Sequence, residues 1–544
     1  MQISPRLRRL FVALLLTALG TGFQTAGAQQ RTQEANVVGV VTFALPPEEL
    51  QDSVPKAVRD SMLLASDGNI YFTSSQGGTG YGNVARLAPD GTTSVVYTFA
   101  GDDGYSPFGG LIQGSDGNLY GTTYYGGPDR RGSVFKLTLA GEFTTVHNFA
   151  KGGAEGANPY TGLVQAADGN LYGTARLTGA FSKGVVFRVA PDGTGFAVVH
   201  SFNGDDGEDP QGQLVEDSDG MLYGTTMLGG SGNRGVIYRI STAGDYQLLY
   251  SFPRLNAFND VGLATNSTGA NPRAGLLRTA DGVFYGTAYQ GGAHGNGTLF
   301  RADIVGNAAD VSVIHAFEGW SFDGGFPVSE VVQGPDGDFY GTSESGGYSD
   351  NGAIWKVAQD GTSFALLHGY LGTATDGQTP YASPLFANGK LYAVSTTDNT
   401  GSAGAIIRLE TDTGSGLPVE LTVTQKEIDV GASVQLAWSA PGAVSCDKFG
   451  SWNEAAVETD PEHVTPTSGT KTVTPAPGVY TYGMACTDGA GVVHNALAGL
   501  VVNPPPLRSV DGGTIVGGGE LSWLLLALLA ALLFVKIFKE TRSS

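Results

Sequence analysis

One short phrase, SDGNLYGTT at Ser115–Thr123, returns in altered form along most of this 544-residue chain. Its seven copies begin at Asp67, Asp116, Asp168, Asp219, Asp281, Asp336 and Asn388, a spacing of 49 to 62 residues. Recurrence at that period demands a structural unit that is itself repeated in space. A second phrase follows each copy: GNVARL at Gly82–Leu87, GSVFKL at Gly132–Leu137, GVVFRV at Gly184–Val189, GVIYRI at Gly235–Ile240, and counterparts opening at Gly297, Gly352 and Gly404. A third, such as VVYTF, TVHNF, VVHSF or LLYSF, closes most units. With the short apolar stretch before each turn, such as Leu111–Ile112, a unit contains four short strands divided by turn residues. Four strands in about 50 residues make one blade of a β-propeller.

The last unit lacks its fourth strand, because the chain runs from Arg408–Leu409 into the segment 411–416. The missing piece stands at the other end, where VVGVVTF at Val37–Phe43 matches the third phrase but precedes every unit. An N-terminal strand that completes the last blade closes the ring and removes its exposed edges. The expected fold is therefore all-β, with a closed seven-bladed propeller spanning residues 29–416. Within each phrase Asp-Gly supplies a tight turn. Leu119 and Tyr120 lie on opposite faces of one strand, and both faces of a blade are covered by its neighbours. Gly121 marks a place where backbones approach closely near the crowded axis.

LYGTT, a glycine-rich loop and then GSVFKL together resemble the GloVer tandem repeat of exported bacterial proteins with varied C-terminal anchors. The resemblance covers roughly residues 37–409. It implies a surface or periplasmic propeller and carries no known activity and no catalytic residues. Phe72 in place of the glycine, Met221 and Val283 in place of the asparagine, and Ala393–Val394 in the last unit depart from the pattern and read as drift in framework positions.

The chain ends supply the address. Residues 1–28 read as an export signal, with Arg6, Arg8 and Arg9 before an apolar run and a small-residue cleavage site at Ala26–Ala28. Residues 505–520 are a Gly/Pro-rich linker. Residues 521–538 reach the length of a spanning helix if Lys536 snorkels to the interface, and the basic tail 539–544 stays cytoplasmic by the positive-inside rule. The C-terminal stretch is similar to the GlyGly-CTERM sorting signal, which implies processing by a rhombosortase-like protease in a Gram-negative envelope. A permanent single-span anchor satisfies the same length and charge rules. Between propeller and anchor, residues 417–504 show alternating strand patterns. Cys446 and Cys486, the only cysteines, are expected to form a disulfide in an exported chain. This region resembles bacterial Ig-like modules, which implies a β-sandwich spacer whose strands the two cysteines join.

Thirty Lys and Arg against 51 Asp and Glu leave a net charge of −21, so no basic surplus exists for binding a phosphate backbone. Nucleic acid is excluded as an expected partner. In a propeller the loops between blades and the loops between each second and third strand emerge on one face, which here collects acids and aromatics. Tyr105, Tyr124, Tyr125, Tyr160, Tyr289, Trp320 and Tyr348 are the candidate ligand-binding residues, although loop aromatics also anchor their own loops. The acidic run GDDGED, with Asp205, Asp206, Glu208 and Asp209, is the candidate calcium site, although its spacing does not match an EF-hand and such residues are common in solvated turns. No other cofactor is implied. His147, His200, His315 and His368 occupy one equivalent position in different blades and cannot converge on one metal. No nucleophile elbow, P-loop or metalloprotease motif is present. The favoured expectation is a non-enzymatic binding or scaffold propeller with a carbohydrate or protein ligand. The alternative is a polysaccharide hydrolase or lyase working on the loop face.

Overall fold

The computed structural model describes residues 37–43, 61–75, 80–259, 262–319, 323–347, 350–370, 378–396, 405–411, 420–425, 427–450, 463–464, 467–475, 478–487 and 493–503. All regular structure among them is β. Seven antiparallel sheets follow one another as the blades of a propeller. In blade 2 the order is Ile112–Gln113, Leu119–Thr123, Ser133–Leu137 and Phe143–Asn148. Blades 1, 4 and 5 repeat this order from Leu63, Val215 and Leu277, and blades 3 and 6 add a short strand, Ala157–Pro159 and Gly324–Pro327, beside their second strand. Blade 7 is completed as the closure argument requires. Val37–Phe43 pairs antiparallel with Ile406–Thr411, outside Lys390–Val394 and Leu385–Ala387.

The faces of each blade bury toward different neighbours. Leu119 packs with Tyr71, Val84 and Phe99 of blade 1, whereas Tyr120 packs with Leu163, Leu171 and Phe187 of blade 3. The core is thus a ring of inter-blade layers, and every blade needs two neighbours to bury its apolar area.

Gly121 has a different cause from the one expected. A Cβ there would lie 2.6 Å from Cζ of Phe135 and 2.9 Å from Leu111, so the crowding comes from side chains of the same blade rather than from neighbouring backbones. Gly121 is directly opposite Phe135, Gly173 opposite Phe187, Gly224 opposite Tyr238, Gly286 opposite Phe300 and Gly341 opposite Trp355. In blade 1 the pair is inverted, with Phe72 opposite Ala85. Phe72 is therefore a compensated exchange of large for small across two strands, not drift, and it conserves packed volume.

Residues 420–503 form two more sheets. Glu420–Val423, Val434–Ser439 and Ser468–Val473 make one, and Glu427–Asp429, Val493–Asn503, Gly478–Thr487, Ser445–Gly450 and His463–Val464 make the other. Leu421, Leu436, Trp438 and Val473 of the first share one core with Ile428, Tyr482 and Met484 of the second. The Cys446–Cys486 disulfide is present, joining residues directly opposite on neighbouring strands of one sheet. The bridge closes a loop over a separation of 40 residues, which chain entropy values at about 4 kcal/mol. No helix among the described residues is long and apolar enough to cross a membrane, and segments 1–28 and 505–544 lie outside them.

Candidate functional site

Six blades, the second to the seventh, are entered through a proline: Pro107, Pro159, Pro210, Pro272, Pro327 and Pro380. The residue before each has left-handed backbone, from φ 48° at Thr379 to 60° at Asn158, with Ser106, Asp209, Asn271 and Phe326 between. That conformation is unfavourable before proline and persists only where the surroundings impose it. Here the N–H of each such residue donates to a carbonyl of the preceding blade, for example Asn158 to Arg131 at 2.8 Å and Asn271 to Arg234 at 2.7 Å. Each proline ring lies on the glycine that opens the previous blade's third strand. A Cβ on Gly184 would lie 2.5 Å from Cδ of Pro210, and one on Gly235 would lie 2.8 Å from Cδ of Pro272. In the first six phrases the first threonine fixes the next segment. Thr122 donates to the carbonyl of Thr161 at 2.9 Å, Thr225 to Ala274 at 2.8 Å and Thr287 to Ser329 at 3.1 Å.

The residue just after each proline is delivered by this joint to the axis. Phe108, Tyr160, Gln211, Arg273, Val328 and Tyr381 line one axial recess together with Gln213 and Glu330. The recess is shallow and open to solvent at its mouth. In the repeated frame this position changes from aromatic to amide to guanidinium to aliphatic, and that variability directly after a recurring proline is a signal in the sequence that could have singled it out.

On the side of blades 2 and 3 the recess is lined by the rings of Phe108 and Tyr160, with further tyrosines packed behind them. Tyr81, Tyr105, Tyr125 and Tyr124 form a continuous series of ring contacts, with centroids 5.7, 5.0 and 4.5 Å apart, and Tyr124 reaches Phe108 at 5.0 Å and Tyr160 at 5.9 Å. Arg176 stands 4.9 Å from the Tyr160 ring centre and grips Asp209 with both arms of its guanidinium, Nε to Oδ1 at 2.6 Å and Nη2 to Oδ2 at 2.8 Å. Gln211 donates to the same carboxylate at 2.9 Å. On the side of blades 5 to 7, the Arg273 guanidinium lies 3.5 Å from the centre of the Tyr289 ring, and the Tyr289 hydroxyl donates to Glu344 at 2.6 Å. Burial first, and then the Glu344 charge, raise the Tyr289 pKa well above the usual phenol value, so the hydroxyl stays protonated as a donor. Glu330 accepts the Gly275 N–H at 3.1 Å.

Of the expected ligand residues, Tyr105, Tyr124, Tyr125 and Tyr160 come together and Tyr289 stands at the opposite side of the axis, while Trp320 and Tyr348 lie outside the described residues. Gln211, Arg273, Glu330 and Tyr381 were missed by the sequence reading. The acidic run separates rather than converges. Asp206 lies 3.0 Å from His200 Nε2, Glu208 binds Lys183 at 2.8 Å, Asp209 serves Arg176, and Asp205 is exposed. Among the described residues no group of three His, Cys, Asp or Glu side chains is placed to hold a metal ion. His147, His200 and His315 each stack on a ring of the next blade, Phe196, Tyr246 and Phe364, and each faces a carboxylate of the loop that follows its strand.

The pattern of the Gloeobacter/Verrucomicrobia repeat matches residues 58–267 and 255–422. The chain belongs to this repeat family. Among curated proteins nothing matches it. Solved structures with a similar course include the extracellular domain of a protein described as a hybrid two-component system of B. thetaiotaomicron, 14% identical over 86% of this chain and 58% of that one, with a TM-score of 0.45. A second extracellular domain from the same organism, described as part of a one-component system, is 11% identical over 87% of this chain and 60% of its own, also at 0.45. A protein of Bacteroides uniformis described as a 6-phosphogluconolactonase is 13% identical over 77% and 99%, at 0.39. This Gloeobacter/Verrucomicrobia repeat protein spans about three fifths of the two extracellular domains.

Proposed function

We propose that this propeller is an exported binding module whose axial recess takes a saccharide. The convergence of unrepeated side chains from six blades on one recess carries the reading, since framework needs alone would repeat them like the rest of the unit. Aromatic faces suit the apolar side of a sugar ring, and the amides and carboxylates around them suit its hydroxyls. Binding is favoured over cleavage because the acids at the recess are committed: Asp209 to Arg176 and Gln211, Glu344 to Tyr289, Glu330 to the Gly275 N–H. A general acid or base must exchange its proton freely with substrate.

Residues 1–28 direct export, the 420–503 sheets act as an Ig-like spacer, and residues 521–538 hold the protein at the cell envelope until a rhombosortase-like protease acts. The Cys446–Cys486 disulfide supports that oxidising location. The test is a glycan array on the purified full-length chain, repeated with Tyr160→Ala and Gln211→Ala. The expected result is retention of one glycan class, weakened about tenfold or more by each change, in line with about 1.4 kcal/mol per lost contact. No glycan retained, or equal retention by both variants, overturns the reading.

A further inference from the structure

Two arginines flank the recess, and their environments differ. Arg176 is satisfied, its planar fork closed on Asp209 by two short hydrogen bonds. Arg273 lines the recess itself, and among the described residues its guanidinium makes no hydrogen bond. Its Nε is buried without a partner, and its nearest carboxylate oxygen, Oε2 of Glu344, lies 4.0 Å from Nη1 and already accepts the Tyr289 hydroxyl. The Tyr289 ring, 3.5 Å from Arg273 Cζ, fixes the orientation of the guanidinium. Its side chain keeps 30% of its surface accessible.

A partly desolvated cation with unused donors is costly unless something completes it. The complement of a planar guanidinium is a planar two-oxygen acceptor, and a carboxylate matches it with two parallel hydrogen bonds where a hydroxyl offers one. Building on the saccharide reading above, we infer that the recess selects acidic sugars, with the uronate carboxylate seated on Arg273 and the sugar ring toward Phe108, Tyr160 and Tyr381. Gln213, which lines the same recess, is then a partner for ring hydroxyls. General attraction does not bring this ligand in, because the chain carries a net charge of −21 and repels polyanions. Recognition is local, so added salt does not weaken it as it weakens binding to a basic patch.

The decisive probe pairs each of three acidic oligosaccharides, oligogalacturonate, oligoglucuronate and oligomannuronate, with its own methyl ester. Affinity for the full-length chain is measured at low and moderate salt. The inference predicts that at least one acid binds about tenfold or more tighter than its ester, that salt leaves the ratio in place, and that Arg273→Gln reduces the ratio to near one. Arg273→Lys, which keeps the charge and loses the fork, is expected to fall between them. Because the ratio compares two ligands on the same protein, partial unfolding of a variant lowers both affinities and leaves it unchanged. Acid and ester bound equally by the native chain overturn the inference and leave the saccharide reading standing. Binding of no acid and no ester also overturns the inference, and retention of another glycan class on the array then keeps the saccharide reading.

Discussion

The two ends of the propeller axis are built from the same repeat but treat their polar groups in opposite ways. On the turn face the Asp of each Asp-Gly is used up by the fold. Asp116 caps its own turn through the Asn118 N–H at 3.1 Å and accepts the Tyr120 hydroxyl at 2.7 Å, and Asp67, Asp168 and Asp336 hold Tyr71, Tyr172 and Tyr340 in the same way. Burial works to raise the Asp116 carboxyl, but the Asn118 and Tyr120 hydrogen bonds outweigh it and hold the group below its ordinary value, while in the next blade burial first, and then Asp168, push the Tyr172 hydroxyl up to about 12. Neighbouring blades are stitched there as well, with Gln113 accepting the Ser66 N–H and Gln165 the Ser115 N–H. On the loop face, the residue after each blade-entry proline is among those released from this scheme, and Arg273 is left with donors that the fold does not use. Repeated residues hold the ring; unrepeated ones at its mouth are available to a ligand.

The largest expected effect breaks the framework half of the comparison. Phe72→Gly empties a fully buried ring site and should destabilise by about 4 kcal/mol, while the double change Phe72→Gly with Ala85→Phe, which converts blade 1 to the pattern of the others, should recover at least half of that. Chemical denaturation of the three proteins checks it, and no recovery in the double variant would show that the inverted pair is not compensatory. Next in size is Gly235→Ala, where φ is 98° and the new Cβ would sit 2.2 Å from the Thr226 carbonyl oxygen and 2.8 Å from Pro272. A loss of about 3 kcal/mol is expected, read as a lower melting temperature. Asp116→Ala removes the turn cap and the tyrosine's acceptor, for a loss of about 2 kcal/mol.

Acidification gives the smallest effect. Burial lowers the pKa of His147 and His200 below the ordinary histidine value of 6.5, with Glu155 and Asp206 offsetting only part of it. The unfolded chain therefore takes up these protons first. Stability is full above about pH 6.5 and falls as pH drops toward the folded-state values. Melting temperature followed from pH 7.5 to 5.5 should decline, and His200→Gln should flatten the slope. A melting temperature that rises on acidification would contradict the assignment.

How much of this was legible beforehand follows from the same division. The recurrence of Asp-Gly, LYGTT and GVVFRV, and the orphan strand Val37–Phe43, contained the blade count and the closure, because every copy obeys one set of steric demands. Gly121 was recognised as a tight place, but its cause was hidden, since the pairing with Phe135 depends on cross-strand register. Phe72 looked like drift for the same reason: its partner Ala85 is thirteen residues away. Tyr105, Tyr124, Tyr125 and Tyr160 were named for their chemistry, as aromatics in loops of one face, and their rings lie together in the structure. Arg273, Gln211 and Tyr381 were missed because nothing in their own type marks them. The proline before each and the variability of the position mark them as equivalent in the sequence, but that the position faces the axis follows only from the joint with the preceding blade, which is visible in three dimensions.

The most direct test of this division measures glycan affinity and melting temperature together on Tyr160→Ala and Asp116→Ala in the full-length chain. The division between holding and binding predicts that Tyr160→Ala loses affinity about tenfold or more with little change in melting temperature, whereas Asp116→Ala lowers the melting temperature and keeps the affinity. Affinity lost through Asp116→Ala and retained in Tyr160→Ala would place the binding function on the opposite face and contradict it.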